Sequence, residues 1–218
     1  NVYGGLTYAK NIDRIRGLNN FENVIRTGTF FNSPFADESF SSFGRIERTF
    51  GKIRASLRAN FNYSKSNQFI QDKRSINESF SQSYTPELRT NFKDLPNLRL
   101  RYGYSITNNN QGDKKTKFIT NSPSVVLDAY IWDSVTFKTD FTYTRQSQDA
   151  AASESFKTWN AFLAYRKDRD SKWEYEINAT NILDIDSRVS NGSSSVSVFS
   201  SETFIQPRFL TFRVRYEL

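Results

Sequence analysis

Apolar and polar residues alternate one for one along most of this chain. Over 53–64 the odd positions read Ile53, Ala55, Leu57, Ala59, Phe61 and Tyr63, and the even ones Arg54, Ser56, Arg58, Asn60, Asn62 and Ser64. A period of two belongs to an extended strand, whose successive side chains leave by opposite faces. The pattern returns with Leu98, Leu100, Tyr102, Tyr104 and Ile106 against Arg99, Arg101, Gly103, Ser105 and Thr107. It returns again with Val135, Phe137, Phe141 and Tyr143 against Thr136, Lys138, Asp140 and Thr144, and with Trp173, Tyr175 and Ile177 against Glu174, Glu176 and Asn178. The chain closes on Leu210, Phe212, Val214, Tyr216 and Leu218 set against Thr211, Arg213, Arg215 and Glu217. No segment keeps a helical period.

The pattern predicts about ten strands, at 2–15, 37–49, 53–68, 76–92, 98–109, 115–131, 134–147, 155–167, 172–183 and 202–218, in one β domain spanning 1–218. Alternation is lost over 25–35, which reads as a loop. Short connections at 50–52, 93–97, 132–133 and 167–171 take turns with longer polar ones at 69–75, 110–114, 148–154 and the Ser-rich 184–201. That rhythm describes an antiparallel up-and-down meander, with short turns at one end and loops at the other. Pro86, Pro123 and Pro207 fall inside predicted strands; proline cannot donate to a ladder, so each is expected at a bulge or strand end.

Alternation alone does not say which face is covered, and a soluble barrel or sandwich buries the same stripe. Three features favour an apolar face turned to lipid. The strands carry five or six apolar positions, matching the ~9–11 residues that cross a bilayer at a tilt. Aromatics crowd the strand ends: Phe50, Phe92, Trp132 and Trp173 near the short turns, and Tyr63, Tyr104 and Tyr143 toward the loops. Both signs of charge sit on the polar face, as suits a wet or plugged lumen. The expectation is a transmembrane β-barrel with Leu57, Phe61, Leu100, Tyr102, Phe137, Phe141, Tyr175, Phe212 and Val214 toward lipid. Arg54, Arg58, Arg99, Arg101, Lys138, Asp140, Glu174, Glu176, Arg213 and Arg215 would face the lumen.

Composition narrows the chemistry. The 218 residues include 20 Phe and 11 Tyr but no Cys, Met or His. A disulfide, a thiolate nucleophile and a histidine base are excluded, and with them the barrel hydrolases that depend on histidine. No run of ~18 apolar residues exists, so no helix spans a membrane. The net charge of +7 is spread among 23 acidic residues without a basic cluster, which argues against nucleic acid. The carboxylate pairs Glu174 with Glu176 and Asp184 with Asp186 read as polar rows, and Asp184, Asp186 and Asn181 lack a calcium-loop pattern. The chain is expected to be neither an enzyme nor a cofactor or metal carrier. It opens in mid-strand at Asn1-Val2-Tyr3-Gly4-Gly5 without a signal peptide, which reads as a processed or partial chain.

Two C-terminal pieces resemble the end of TonB-dependent receptors, especially the outer-membrane barrels of Bacteroidetes. They are Asn178-Ala179-Thr180-Asn181-Ile182-Leu183-Asp184 and Phe204-Ile205-Gln206-Pro207-Arg208-Phe209, followed by the closing amphipathic strand. That strand, with Phe212, Val214, Tyr216 and Leu218, is similar to the family's outer-membrane assembly signal, except that the family usually ends in an aromatic. The resemblance implies a Gram-negative outer membrane and the C-terminal portion of a ~22-stranded plugged barrel. Its partners would be the bilayer, the barrel-assembly machinery, an N-terminal barrel and plug absent here, TonB and a surface lipoprotein. Two functions follow as expectations: part of the wall of a nutrient importer, or a structural barrel subunit of a larger surface or secretion assembly. The loops at 69–75, 110–114, 148–154 and 184–201 are the candidate ligand contacts.

Overall fold

A computed structural model of the chain describes residues 1–12, 14–22, 25–70, 73–93, 96–112, 114–132, 134–149, 153–168, 170–193 and 198–217; for 14–22, 25–31, 70, 191–193 and 198–199 it describes the backbone alone. The described residues contain no helix. The strands are β1 Val2–Asn11, β2 Arg14–Glu22, β3 Ile25–Ser33, β4 Asp37–Phe50, β5 Ile53–Ile70, β6 Lys73–Thr90 and β7 Asn97–Gln111. They continue as β8 Lys114–Ile131, β9 Val135–Gln148, β10 Glu154–Arg166, β11 Trp173–Thr180, β12 Ser187–Ser193, β13 Val198–Phe204 and β14 Phe209–Tyr216.

Ten strands form one antiparallel sheet in the order β1-β4-β5-β6-β7-β8-β9-β10-β11-β14. From β4 to β11 each strand pairs with its neighbour in sequence, which is the expected meander. Two hairpins depart from it. β2 and β3 pair with each other and touch the main sheet through a short parallel contact, Leu18 with Phe69 and Asn19 with Ile70. β12 and β13 form a separate two-stranded sheet. Among the described residues no pairing joins β1 to β14, and closure into a barrel is not detected.

Several boundaries read from the pattern are corrected. The first expected strand, 2–15, breaks after Asn11, and the expected loop at 25–35 contains β3. The expected loop at 184–201 contains most of the β12–β13 hairpin, so the last strand begins at Phe209, not at 202. β12–β13 forms a sheet of its own and β2–β3 meets the main sheet only at Leu18 and Asn19, so neither hairpin is aligned with a face of the main sheet along its length and no strict alternation is imposed. The loops at 69–75 and 110–114 are mostly drawn into strands, because main-chain pairing extends a ladder whether its side chains are polar or apolar. Residues 71–72, 94–95, 113, 133, 150–152, 169 and 194–197 of the expected connections lie outside the described residues.

Pro86 and Pro123 sit inside β6 and β8, and neither makes a bulge or ends its strand. Pro86 is opposite Leu57 on β5, while the β6–β7 ladder is interrupted between Tyr84↔Tyr104 and Glu87↔Arg101 with no change of register. Pro123 is opposite Tyr102, and the β8–β9 ladder is interrupted between Asn121↔Arg145 and Ser124↔Thr142. The missing N–H leaves a gap on one side, and the long ladders on either side of it hold the register. Pro207 precedes β14 at a strand end, as expected. Gly51, at φ +59°, turns β4 into β5 where an L side chain would be strained.

The register is sheared. Pairing from Gly4 runs through Gly44, Ala59, Tyr84, Tyr104, Asn121 and Arg145 to Ser155. Gly4 lies near the turn end of the sheet, and Ser155 at the loop end. A steady stagger of this kind is what tilted strands require.

Candidate functional site: an uncovered apolar face backed by a charged one

Cross-strand partners share a face, so the register assigns every side chain of the ten-stranded path. One face carries Leu6, Ile46, Leu57, Leu88, Leu100, Val125, Phe141, Leu163, Ile177, Phe212 and Val214, and all of these are exposed. Leu57 is 43% exposed and Phe212 64%. Among the described residues the only buried hydrophobics are Phe118, Ala129 and Ala164, and two of them, Phe118 and Ala164, lie on the opposite, polar face. The sheet therefore has no core on its apolar side. An exposed apolar surface spanning ten strands is far beyond the ~300–600 Å² patches of ordinary soluble monomers.

At the loop end of β1 and β4–β6 that face is bounded by aromatics and then by charge. Tyr8, Phe40, Tyr63 and Phe80 are direct cross-strand partners on β1, β4, β5 and β6. The next row outward on the same face is Lys10, Glu38, Lys65 and Glu78, also direct partners and alternating in sign. Lys10 meets Glu38 at 3.3 Å and Lys65 meets Glu78 at 3.4 Å. At the turn end Trp173 packs on Tyr216 with ring centroids 4.8 Å apart, Tyr165 stacks beside Tyr175, and the Arg48 guanidinium lies 4.9 Å from the Phe50 ring. Phe40 and Phe50 mark the two limits on β4. Ten residues at ~3.4 Å each span roughly 34 Å along the strand, or about 24 Å in height at a ~45° tilt, against the ~25 Å apolar band of outer-membrane barrels. Sequence reasoning missed the ion row; the signal was the odd-position series of β5 turning polar at Lys65, directly after Tyr63.

Arg54, Arg58, Arg99, Arg101, Lys138, Asp140, Glu174, Glu176, Arg213 and Arg215 share the polar face of the sheet, in two groups of different character. Arg213 meets Glu176 at 3.2 Å, while Arg215 meets Glu174 at 3.3 Å and Glu176 at 3.0 Å, so β11 and β14 are laced by a four-residue network around the buried Glu176. Arg166 and Glu217 pair beside it. Lys138 faces Asp128 at 3.9 Å, and Asp140 accepts a hydrogen bond from Asn160 Nδ2 at 3.0 Å. Arg54, Arg58, Arg99 and Arg101 fall instead in an arginine-rich zone on β4–β7 that also contains Arg45 and Arg89. There Glu47 takes Arg45 and Arg54 as partners, the latter at 3.1 Å.

The two C-terminal pieces clasp each other. Asn181, buried at φ 49°, donates from Nδ2 to the carbonyls of Ile185 (2.9 Å) and Gln206 (3.0 Å), and its Oδ1 accepts Ile185 N–H at 3.1 Å. Asp184 Oδ1 accepts the Arg208 N–H at 2.9 Å, and its carboxylate lies 3.5 Å from the guanidinium. The carboxylate of Asp184 is thus engaged in holding β14 to the end of β11. A second clasp at the loop end, not foreseen, centres on buried Asn67. Its backbone N–H donates to Asp37 Oδ1 at 2.8 Å, its Nδ2 to Ala36 O at 2.7 Å, and Arg74 Nε donates to its Oδ1 at 2.8 Å.

The β12–β13 hairpin leans over the polar face. Arg188 lies 5.7 Å from the Phe156 ring, and Thr144, Gln146 and Phe156 line a shallow cleft with Val189 and Ser190. Phe212, Val214 and Tyr216 of the expected assembly signal lie on the apolar face of β14, as does Leu210; Leu218 is outside the described residues. The chain was compared with protein-family models, with curated proteins and with solved structures, and none of the three comparisons gives a match.

Proposed function

We propose that this chain is a stretch of transmembrane β-barrel wall in a Gram-negative outer membrane, and that it serves a TonB-dependent receptor importing a nutrient ligand. One observation carries the membrane part: an apolar face uncovered over ten strands, limited at the loop end of β1 and β4–β6 by an aromatic row and an alternating ion row. A soluble sheet would have to bury that face. Lipid covers it without a second layer, while the aromatic and charged rows suit the headgroup region. The polar face then lines a wet lumen, with the β12–β13 hairpin over its loop-end mouth. Unpaired backbone cannot persist in hydrocarbon, so the free edges of β1 and β14 would pair with further strands of a larger barrel. The receptor assignment rests on the resemblance of the two C-terminal pieces.

The three tryptophans give a direct test. Trp159 and Trp173 lie on the apolar face and Trp132 at a turn. In vesicles, brominated acyl chains are expected to quench their fluorescence more strongly than aqueous acrylamide does; the reverse ranking sinks the membrane reading. Transport is tested by accumulation of labelled nutrients too large for porins, in cells with and without the intact protein, before and after collapse of the proton-motive force. Accumulation indifferent to both leaves a structural barrel subunit.

A further inference from the structure

We infer that the arginines at the turn end of β5–β7 form a binding site for a small multivalent phosphate anion. Arg54, Arg89 and Arg99 are direct cross-strand partners in one row of the polar face. Arg101 lies two residues along β7, opposite Glu87, and Arg58 lies two turns of the pleat along β5, opposite Arg45. Six arginines, Arg45 and Arg89 included, face the carboxylates of Glu47 and Glu87, with Asp128 on β8 at the edge beside Arg99, so that six positive charges meet three negative ones, a local balance of +3. Arg45 and Arg54 share Glu47. Arg58, Arg89, Arg99 and Arg101 have no ion pair among the described residues.

Like charges placed directly opposite one another destabilise a sheet, so the row is a cost unless an anion offsets it. Arg99 Nε adds an independent sign: it is buried and donates to no acceptor, not even to Asp128 Oδ1 on the adjoining strand, which is itself buried and accepts no hydrogen bond, and orphaned buried donors are rare in folded proteins. The same face from β8 to β14 shows the opposite habit, with Lys138, Arg166, Arg213 and Arg215 matched to Asp128, Glu174, Glu176 and Glu217.

The shape of the patch selects the ligand class. Its rows end in uncharged residues, Thr49 and Val126 beside the Arg54–Arg99 row and Ser124 beside Arg101. The row therefore covers two strand spacings, on the order of 10 Å. That is too compact for an extended acidic peptide. Several guanidinium forks on rigid strands suit the clustered oxygens of a phosphate ester or pyrophosphate, which accept paired N–H bonds. The inference goes beyond the proposed function and does not need it, since the face is open to solutes with or without a bilayer.

The test is calorimetric titration of the full chain, folded in detergent micelles at physiological ionic strength, with pyrophosphate. Saturable binding is expected, weakened at least ~10-fold by Arg89→Gln or Arg99→Gln, the scale of one lost charge-assisted contact. Arg89→Lys should recover part of the loss, and Lys138→Gln should change affinity less than about twofold, since screening leaves distant charge little effect. Thermal unfolding separates binding from folding: pyrophosphate should raise the melting temperature of the wild type. Arg89→Gln, relieved of repulsion, should melt no lower than wild type without anion and lose that rise. Absence of wild-type binding, an equal loss from Lys138→Gln, or tighter binding of a glutamate-rich peptide than of pyrophosphate would each overturn the assignment.

Discussion

Replacing Leu57 by Arg puts the proposed lipid face to a quantitative test. Leu57 lies between the two limits of the apolar band, opposite Ile46 and Pro86, with 43% of its surface uncovered. Full burial of a leucine is worth ~1.5–3 kcal/mol, so the uncovered share contributes about 1 kcal/mol when lipid covers it. Arginine forfeits that and brings a charge toward the bilayer midplane, where outer-membrane barrels lose ~2–4 kcal/mol per Arg. The two losses together, about 3–5 kcal/mol, should lower the folding equilibrium of the intact protein in phospholipid vesicles roughly 150- to 4,000-fold. The assay is denaturant unfolding in vesicles, with Tyr63→Arg in the aromatic row as the depth control, where the cost drops to ~0–1 kcal/mol. If the face meets water, Leu57→Arg is an exposed substitution worth within about 0.5 kcal/mol. A cost that small, or one equal at positions 57 and 63, refutes the reasoning.

Asn181→Ala removes three side-chain hydrogen bonds and a residue tolerant of positive φ; at ~0.5–1.5 kcal/mol per bond, a loss of about 2–4 kcal/mol is expected in denaturant unfolding, with hydrogen exchange in β14 quickened first. Glu176→Gln leaves Arg213 and Arg215 facing each other without their shared carboxylate; because both guanidiniums are well exposed, a loss of roughly 1–2 kcal/mol is expected, read as a lower melting temperature. Deleting 186–200 in the intact protein should leave the barrel folded, as judged by heat-modifiable gel mobility, while reducing ligand uptake; unchanged uptake removes the hairpin from recognition. Phe212→Asp places a charge on the apolar face of β14 and is expected to lower the amount of protein in the outer-membrane fraction, measured by immunoblot.

How much was legible in the sequence depends on whether a face had a single environment. Within β5, β7, β9, β11 and β14 a strict period of two was enough to sort Leu57 from Arg58, Leu100 from Arg101 and Phe212 from Arg213, because a one-residue slip would move the whole strand to the wrong face. Where no shared face acts, the pattern was silent, and β3 and the β12–β13 hairpin were read as loops. The prolines misled for a related reason: the sequence shows a missing donor at Pro86 and Pro123, but only the long flanking ladders decide that the register survives it.

The candidate sites divide the same way. The sequence alone determined which charged residues lie on the polar face, since parity within a strand settles that. It could not determine which of them meet, because meeting depends on register between strands, and register is a tertiary fact. Arg54, Arg89 and Arg99 are 35 and ten positions apart, yet pairing sets them side by side. The same pairing gives Arg213 and Arg215 the carboxylates of β11, and it joins Lys10, Glu38, Lys65 and Glu78 into one row from four separate strands. A side chain's face is local geometry with a period of two, whereas its neighbours are chosen by hydrogen bonds to strands that the chain reaches only after a turn.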